Sequence, residues 1–335
     1  MAGEILLTGG AGFIGSHVAK ELLSRGFNVV AVDSLSDYYS VELKELRIAQ
    51  LDNHKNFSFE KVDISDMTQV ENLFRSHNFV GVIHLAAQAG VRLSLEQSGR
   101  YIESNIVGFY NILRKAIEVN IQNFLYASSS SVYGDLSPLP YTESSILLSP
   151  KSFYGATKLN NEQTANILGS GSPISTRGLR FFTVYGEWGR PDMAYFRLMA
   201  AALGKHKFQI FGDGSIERDF TYIDDVTQTT IDLYENMFNS NQKTNDIVNI
   251  GGQRPLSMNF LIELVQEITG TRINVSREQS NRNDTQKTVA DNTYLQSLTG
   301  KRTFTPLEEG IKNFHLWMTK PEVIVQVEKW IKSSI

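Results

Sequence analysis

Two short stretches of this chain carry side chains that can move protons. In YGATK, Tyr154 and Lys158 stand four residues apart, which puts both on one face of a helix. A phenol of pKa about 10 is a poor base at neutral pH, but an ammonium one turn away favours its ionised form. Such a pair suits proton removal from an alcohol while hydride leaves the same carbon. The second stretch is SSSSVYG, in which Ser128–Ser131 follow the apolar run FLYA with no carboxylate among them. Hydroxyls there can hydrogen-bond a polar substrate without adding acid or base chemistry.

The elements that must position these residues are legible from periodicity. EILLTGG, NVVAVD, FSFEKVD, GVIHLAA and NFLYASS read as buried strands, alternating with helical patterns in AGFIGSHVAKELLSRG, residues 41–51, MTQVENLFRSHN and YIESNIVGFYNILRKAIEVN. That alternation predicts an α/β fold, a Rossmann-type doubly wound parallel sheet with right-handed crossovers. After residue 180 the pattern loosens. RFFTVYGEWGRPDMA reads as a loop, KFQIFGDGS as strand and turn, DDVTQTTIDLYENMF and FLIELVQEITG as helices, and NDIVNIGG as a strand. Residues 1–180 are expected to form the dinucleotide-binding domain, with later segments returning to it. Residues 181–335 form mainly a smaller α/β substrate lobe at the sheet's carboxyl edge.

The first strand–helix junction, TGGAGFIGS, spaces Gly9, Gly12 and Gly15 as G-x-x-G-x-x-G. Glycines there allow the tight turn, close backbone approach to a pyrophosphate and helix–strand contact, and the helix N-terminus adds amide donors. Asp33 closes the second strand, where a carboxylate accepts both ribose hydroxyls and repels a 2′-phosphate, favouring NAD over NADP. Asp63, at the end of the third, suits the adenine amino group.

The net charge of −4 across 335 residues does not resemble a nucleic-acid footprint, and the absence of cysteine excludes disulfides and thiolate metal sites. The six histidines are scattered, so no metal site is expected. The N-terminal MAGEILLTGG has no basic region ahead of its apolar run and no segment is long enough to span a membrane, which leads to the expectation of a cytoplasmic protein.

TGGAGFIGSH, HLAAQAGVR, SSSSVYG, YGATK, RFFTVYG and RDFTYIDD occur in an order, and over nearly the whole length, that resembles an extended short-chain dehydrogenase/reductase, specifically a nucleotide-sugar 4-epimerase. The resemblance implies Tyr154 as acid/base, Lys158 as its ribose-bound modulator and Ser129 as the hydroxyl working with the tyrosine. It also implies cofactor contacts from Phe13, Ile14, Ile64, Leu85, Ala86, Ala87 and Asn105. Related 4,6-dehydratases carry Asp-Glu directly after the catalytic hydroxyl, and UDP-glucuronate decarboxylases a glutamate at the second place. Here those positions are Ser130 and Ser131, which argues for C4 oxidation and re-reduction alone.

DSLSDYYSVELKELRIAQL, AGVR and YGEWGRPDMA are similar to UDP-glucuronate 4-epimerases. A hexuronate presents a carboxylate, for which a planar guanidinium is suited. Arg190 is the first candidate to bind it, with a hydroxyl from Thr183, and Arg92 is the second candidate or a pyrophosphate ligand. The resemblance further implies Arg218 on a UDP phosphate, Gln209 and Phe211 at the uracil, and Asp284 in a loop where this chain has RND instead of the usual Gly-Asp. Glu187 replaces the usual proline and is placed to pair with Arg190, which keeps a neutral UDP-sugar (UDP-glucose or UDP-N-acetylglucosamine) as the alternative substrate. Related epimerases dimerise through two long helices per subunit; residues 100–119 and the helix carrying Tyr154 are the candidates for a homodimer.

Overall fold

The apolar runs of the first half form strands because a sheet covered on both faces buries nearly every residue of them, which suits Val, Ile and Leu. The computed structural model of the chain describes residues 3–90, 95–204, 206–240, 242–278 and 285–334. Strands β1 (Glu4–Thr8), β2 (Asn28–Asp33), β3 (Phe57–Lys61), β4 (Phe79–His84), β5 (Asn123–Ser129) and β6 (Ser175–Phe181) are joined by helices α1 (Phe13–Ser24), α2 (Val41–Ala49), α3 (Met67–Ser76), α4 (Gly99–Tyr101), α5 (Phe109–Glu118) and α6 (Phe153–Ser170). Helices α4 and α5 are continuous through a π-helical segment, Ile102–Gly108. The chain continues through β7 (Thr183–Tyr185), α7 (Ala194–Ala202), β8 (Phe208–Phe211), β9 (Glu217–Tyr222), α8 (Ile223–Phe238), β10 (Asn245–Ile250), β11 (Pro255–Ser257), α9 (Met258–Thr269), β12 (Val275–Glu278), α10 (Thr293–Thr299), α11 (Leu307–Met318) and α12 (Pro321–Lys332).

The large sheet has seven strands in the order β10-β6-β5-β4-β1-β2-β3, all parallel. This is the doubly wound sheet that the alternation predicts. Along β1, Ile5 and Leu7 join one core cluster, with residues of α1 and α8, while Leu6 joins the other, with residues of α3 and α5. A strand alternates its faces, so helices on both sides are needed to cover it. The order reverses between β1 and β4, which opens a crevice at the carboxyl ends of the strands.

Beyond β6 the chain adds a three-stranded sheet, β11-β9-β7, and a two-stranded one, β12-β8. Strand β10 pairs with β6 and so belongs to the large sheet, although its residues lie beyond position 181. The stretch RFFTVYGEWGRPDMA is not wholly a loop: it begins in β6 and contributes β7, which pairs with β9 far along the chain. That pairing leaves no local periodic signal in only three residues.

His84, in β4, is buried beside Thr8, with Nδ1 2.9 Å from the threonine hydroxyl and the ring between Phe109 and Phe124. Burial, with a smaller contribution from the nearby Lys158 charge, pulls its pKa down to about 3. The unfolded chain therefore takes up this proton near pH 6.5 and the folded chain only near 3, so stability falls as pH drops through that window. This residue alone should remove about 2 kcal/mol between pH 7 and pH 5. Urea unfolding at the two pH values should show a correspondingly smaller drop in His84→Asn than in the parent protein.

Candidate active site

The crevice at the strand ends deepens into a cleft of about 650 Å³ between the first glycine turn, the β5–α6 junction and the strands of the second half. Gly9, Gly12 and Gly15 line one end. Gly9 sits at φ 73°, and the Gly9 and Gly10 amides donate to Val32 O, which folds the turn onto β2. A Cβ on Gly15 would come within 2.1 Å of Gly9 O, and one on Gly12 within 2.9 Å of the same atom. The turn closes only with hydrogen at these positions. No acidic residue stands in the first turn of α1, so nothing there competes for its positive end.

Phe13, Ile14, Asp33, Asp63, Ile64, Leu85, Ala86 and Ala87 all line this end of the cleft. The Asp33 carboxylate accepts from Leu35 N at 2.8 Å, and Asp63 accepts from Ser65 N and its hydroxyl at 2.9 and 2.7 Å. Glycine turn, helix N-terminus and a carboxylate at the end of the second strand are the donor set a dinucleotide requires, and the residues present fit NAD. Asn105 is elsewhere. It is buried behind the wall, accepting from Gln88 N at 2.8 Å and donating to Gln88 O and the Thr157 hydroxyl. It braces the Gln88 backbone against α6 and does not line the cleft.

At the middle of the cleft the chemistry residues meet. Ser152 caps α6, accepting from Gly155 N at 3.0 Å, which fixes Tyr154 in the first helical turn. Gly155 lets that turn lie against the serine turn, because a Cβ there would stand 2.5 Å from Ser131 O. Ser129, the last residue of β5, lines the cleft near Tyr154; its hydroxyl donates to the Ser131 hydroxyl and accepts from Ser131 N, each at 3.1 Å. Ser130 and Ser131 complete a turn of 3-10 helix on the same wall. Lys158 follows one turn along α6, fully buried, its ammonium donating to Ala127 O at 2.9 Å and lying 5.8 Å from the Tyr154 ring centre.

The electrostatics differ from the sequence expectation. Burial pushes the Tyr154 phenol above its ordinary value, and the charge of Arg190 and the nearby Ser129 hydroxyl pull it back. The Lys158 ammonium, although near the ring, donates to a backbone carbonyl of β5. Burial also pulls Lys158 itself down to about 8.

Thr183, Arg190, Gln209, Phe211 and Arg218 line the opposite wall. Thr183 opens β7, Gln209 and Phe211 are the outward residues of β8, and Arg218 lies on β9. Arg190 does not pair with Glu187. It holds Asp192 through Nε at 3.0 Å and Nη2 at 2.5 Å, whereas Glu187 turns away to accept the Tyr222 hydroxyl at 2.8 Å. Arg92 and Asp284 lie outside the described residues.

Several residues in or around the site were assigned no role from the sequence. Arg47 is fully buried, donating to Ala11 O, the Tyr39 hydroxyl, Trp188 O and Gly189 O. Asp192 and Tyr38 frame Arg190, with the guanidinium 5.7 Å from the Tyr38 ring centre. Arg197, in the first half of α7, and Lys151, ahead of α6, add positive charge to the walls. Tyr38, Arg47 and Asp192 lie within the stretches that resemble UDP-glucuronate 4-epimerases, and Arg197 and Lys151 lie outside them.

Residues 5–251 match the family described as NAD dependent epimerase/dehydratase. The chain is 38% identical over 327 residues to protein CapI of Staphylococcus aureus, covering 94% of this chain and 98% of that protein. It is 36% identical over 316 residues to a UDP-glucuronate 4-epimerase of Thermodesulfobacterium geofontis, covering 94% and 96%. A UDP-glucuronic acid 4-epimerase from Bacillus cereus, solved with UDP-glucuronic acid and NAD, superposes with a TM-score of 0.86 at 31% identity, covering 94% of this chain and 98% of that one.

The glycine turn yields a direct test. Gly15→Ala puts a methyl group against a backbone oxygen that cannot rotate away, so the turn must open. The variant should fold yet lose at least about tenfold in NAD affinity, the effect of little more than 1 kcal/mol, as measured by calorimetry on protein stripped of nucleotide.

Proposed function

We propose, from the premise that the chain belongs to the NAD dependent epimerase/dehydratase family, that it interconverts UDP-glucuronate and UDP-galacturonate at C4 through a transient 4-keto sugar. The observation that carries this reading is the joining, in one cleft, of Tyr154, Ser129, a serine turn without a carboxylate and the Arg190 guanidinium.

Tyr154 takes the proton of the C4 hydroxyl, and the Ser129 hydroxyl on the same wall helps to orient it. Arg190 helps that ionisation, since a cation favours the phenolate over the buried phenol. Bound NAD would receive hydride from C4 and return it, so the cycle ends with no net oxidation. Lys158, beside the first turn of α6, would hold the nicotinamide ribose. Ser130, Ser131 and Thr183 offer hydroxyls to the uronate, and no side chain of the serine turn supplies the extra acid and base that water elimination requires.

The carboxylate is held by Arg190. Asp192 occupies its Nε and Nη2 atoms, leaving Nη1 as the end of the fork that faces a substrate carboxylate. The 4-keto uronate is a β-keto acid, and it loses CO₂ when its carboxylate bond aligns with the carbonyl. A carboxylate fixed by a guanidinium and hydroxyls resists that alignment. Arg218, with Gln209 and Phe211, grips UDP while the sugar turns to present its other face.

The same reading makes the protein a cytoplasmic homodimer. Phe153, Ala156, Asn160, Gln163 and Ile167 form an exposed stripe along α6, and Ile102, Val107 and Tyr110 are exposed on the α4–α5 helix. Two such helices from each of two subunits make a four-helix contact. No described helix is long and apolar enough to cross a membrane.

NMR of UDP-glucuronate incubated with the protein, without added NAD, should show UDP-galacturonate accumulating and no UDP-xylose. At pH values above the acid limb, Arg190→Met should lower kcat/KM for the uronate by about 10- to 100-fold, the worth of a charge-assisted hydrogen bond, and leave UDP-glucose far less affected. It should also move the acid limb of the rate profile to higher pH, because the charge lowering Tyr154 is gone. Equal losses on both sugars would favour a neutral substrate. Sedimentation should give a dimer that Tyr110→Asp splits.

A further inference from the structure

Behind the serine patch lies an ion pair that the proposed chemistry does not use. Glu162 stands one turn beyond Lys158 on α6 and is almost wholly buried. Arg180 of β6 clasps it through both edges, Nε to Oε1 and Nη2 to Oε2, each at 2.8 Å. The Ser128 hydroxyl donates to Oε1 of the same carboxylate. Ser128 precedes Ser129 on β5 and lines the cleft. One carboxylate thus joins the helix carrying Tyr154 and Lys158 to the strand carrying Ser129. Buried ion pairs are rarely the most stable way to fill an interior, because apolar residues of similar volume serve at least as well. A pair retained beside a buried lysine asks for a reason other than stability.

The surroundings of Lys158 supply one. His84 faces it from β4 and is held neutral by burial, and Tyr126, on β5 near Glu162, is pushed well above its ordinary value. Tyr154 lies on its own helix, and Arg180 stands across the carboxylate. Burial drives Lys158 toward the neutral amine, and the Glu162 charge opposes this. We propose that Glu162, clasped by Arg180, is a positioning residue of the reaction: it keeps the Lys158 side chain charged and docks the Ser128–Ser129 end of β5 against the helix bearing Tyr154. A neutral Lys158 would offer neither a cation to the phenolate nor a full set of donors to a ribose.

The inference rests on the epimerase reading for its rate measurement, but not for its titration. The test uses the NAD-loaded protein and Glu162→Gln, Arg180→Gln and the double variant, with fold checked by thermal melting. The pH profile of kcat is recorded beside the NMR titration of 13Cε-labelled lysine, with the Lys158 resonance assigned through Lys158→Met. Glu162→Gln keeps the shape and the Ser128 contact but loses the charge, so the Lys158 midpoint and the alkaline limb of the profile should both fall by about one pH unit. Arg180→Gln leaves the carboxylate without its counter-charge and should move both the other way, with the double variant between them. A common loss of rate at every pH with the lysine titration unmoved would overturn the proposal and leave the pair purely structural. Should Arg180→Gln fail to fold, the sign of the Glu162→Gln shift decides alone. An unreactive parent protein would sink the epimerase reading while the titration still tested this one.

Discussion

The site depends on how closely the first turn of α6 approaches the end of β5. Gly155 permits a separation at which a side chain would collide with Ser131 O at 2.5 Å, and the Ser152 cap starts the helix at the position that aims Tyr154 at Ser129. The parallel sheet then does the rest. Because β1, β2, β4 and β5 run the same way, the glycine turn, Asp33 and the serine patch all emerge at one edge. A cofactor cradle and an acid/base pair therefore face one another without any strand having to reverse.

Burial sets the chemical state of this site more than any single charge does. Tyr154, Lys158 and His84 are all held toward their neutral forms, and each charge that matters acts by opposing that tendency. Arg190 opposes it at the phenol and Glu162 at the lysine. Both charges are themselves clasped, by Asp192 and Arg180, so each is fixed in place rather than free to follow solvent. Fixed charges in a dry site act more strongly than mobile ones in water.

Much of this was legible in the sequence because it is encoded locally. The glycine spacing, the acids closing β2 and β3 and the helical spacing of Tyr154 and Lys158 each lie within a few residues of one another, and the structure brings them to one cleft. What was not legible depends on partners far apart in the chain. Arg190 has an acidic candidate on either side of it in sequence, and only the loop's backbone decides that Asp192 faces it and Glu187 faces Tyr222. Asn105 lies behind the cleft wall, its amide held by Gln88 and Thr157, which no local pattern reveals. The spacing of Tyr154 and Lys158 puts both on one side of the helix, but it says nothing of the Ala127 carbonyl to which the ammonium donates.

Arg47 bears on how a sugar can turn within a fixed site. Its guanidinium reaches Ala11 O in the glycine turn and Trp188 O and Gly189 O in the loop ahead of Arg190. Trp188, at φ 57°, packs in turn on Trp317 and Trp330 of α11 and α12. The loop that presents Arg190 is thus tied to the cofactor cradle on one side and to the C-terminal helices on the other. Its backbone cannot swing with a rotating sugar unless it gives up hydrogen bonds from a buried cation that has no carboxylate to replace them. With the loop tied on both sides, a keto sugar that presents both faces would have to turn about torsions of its own rather than move with the loop.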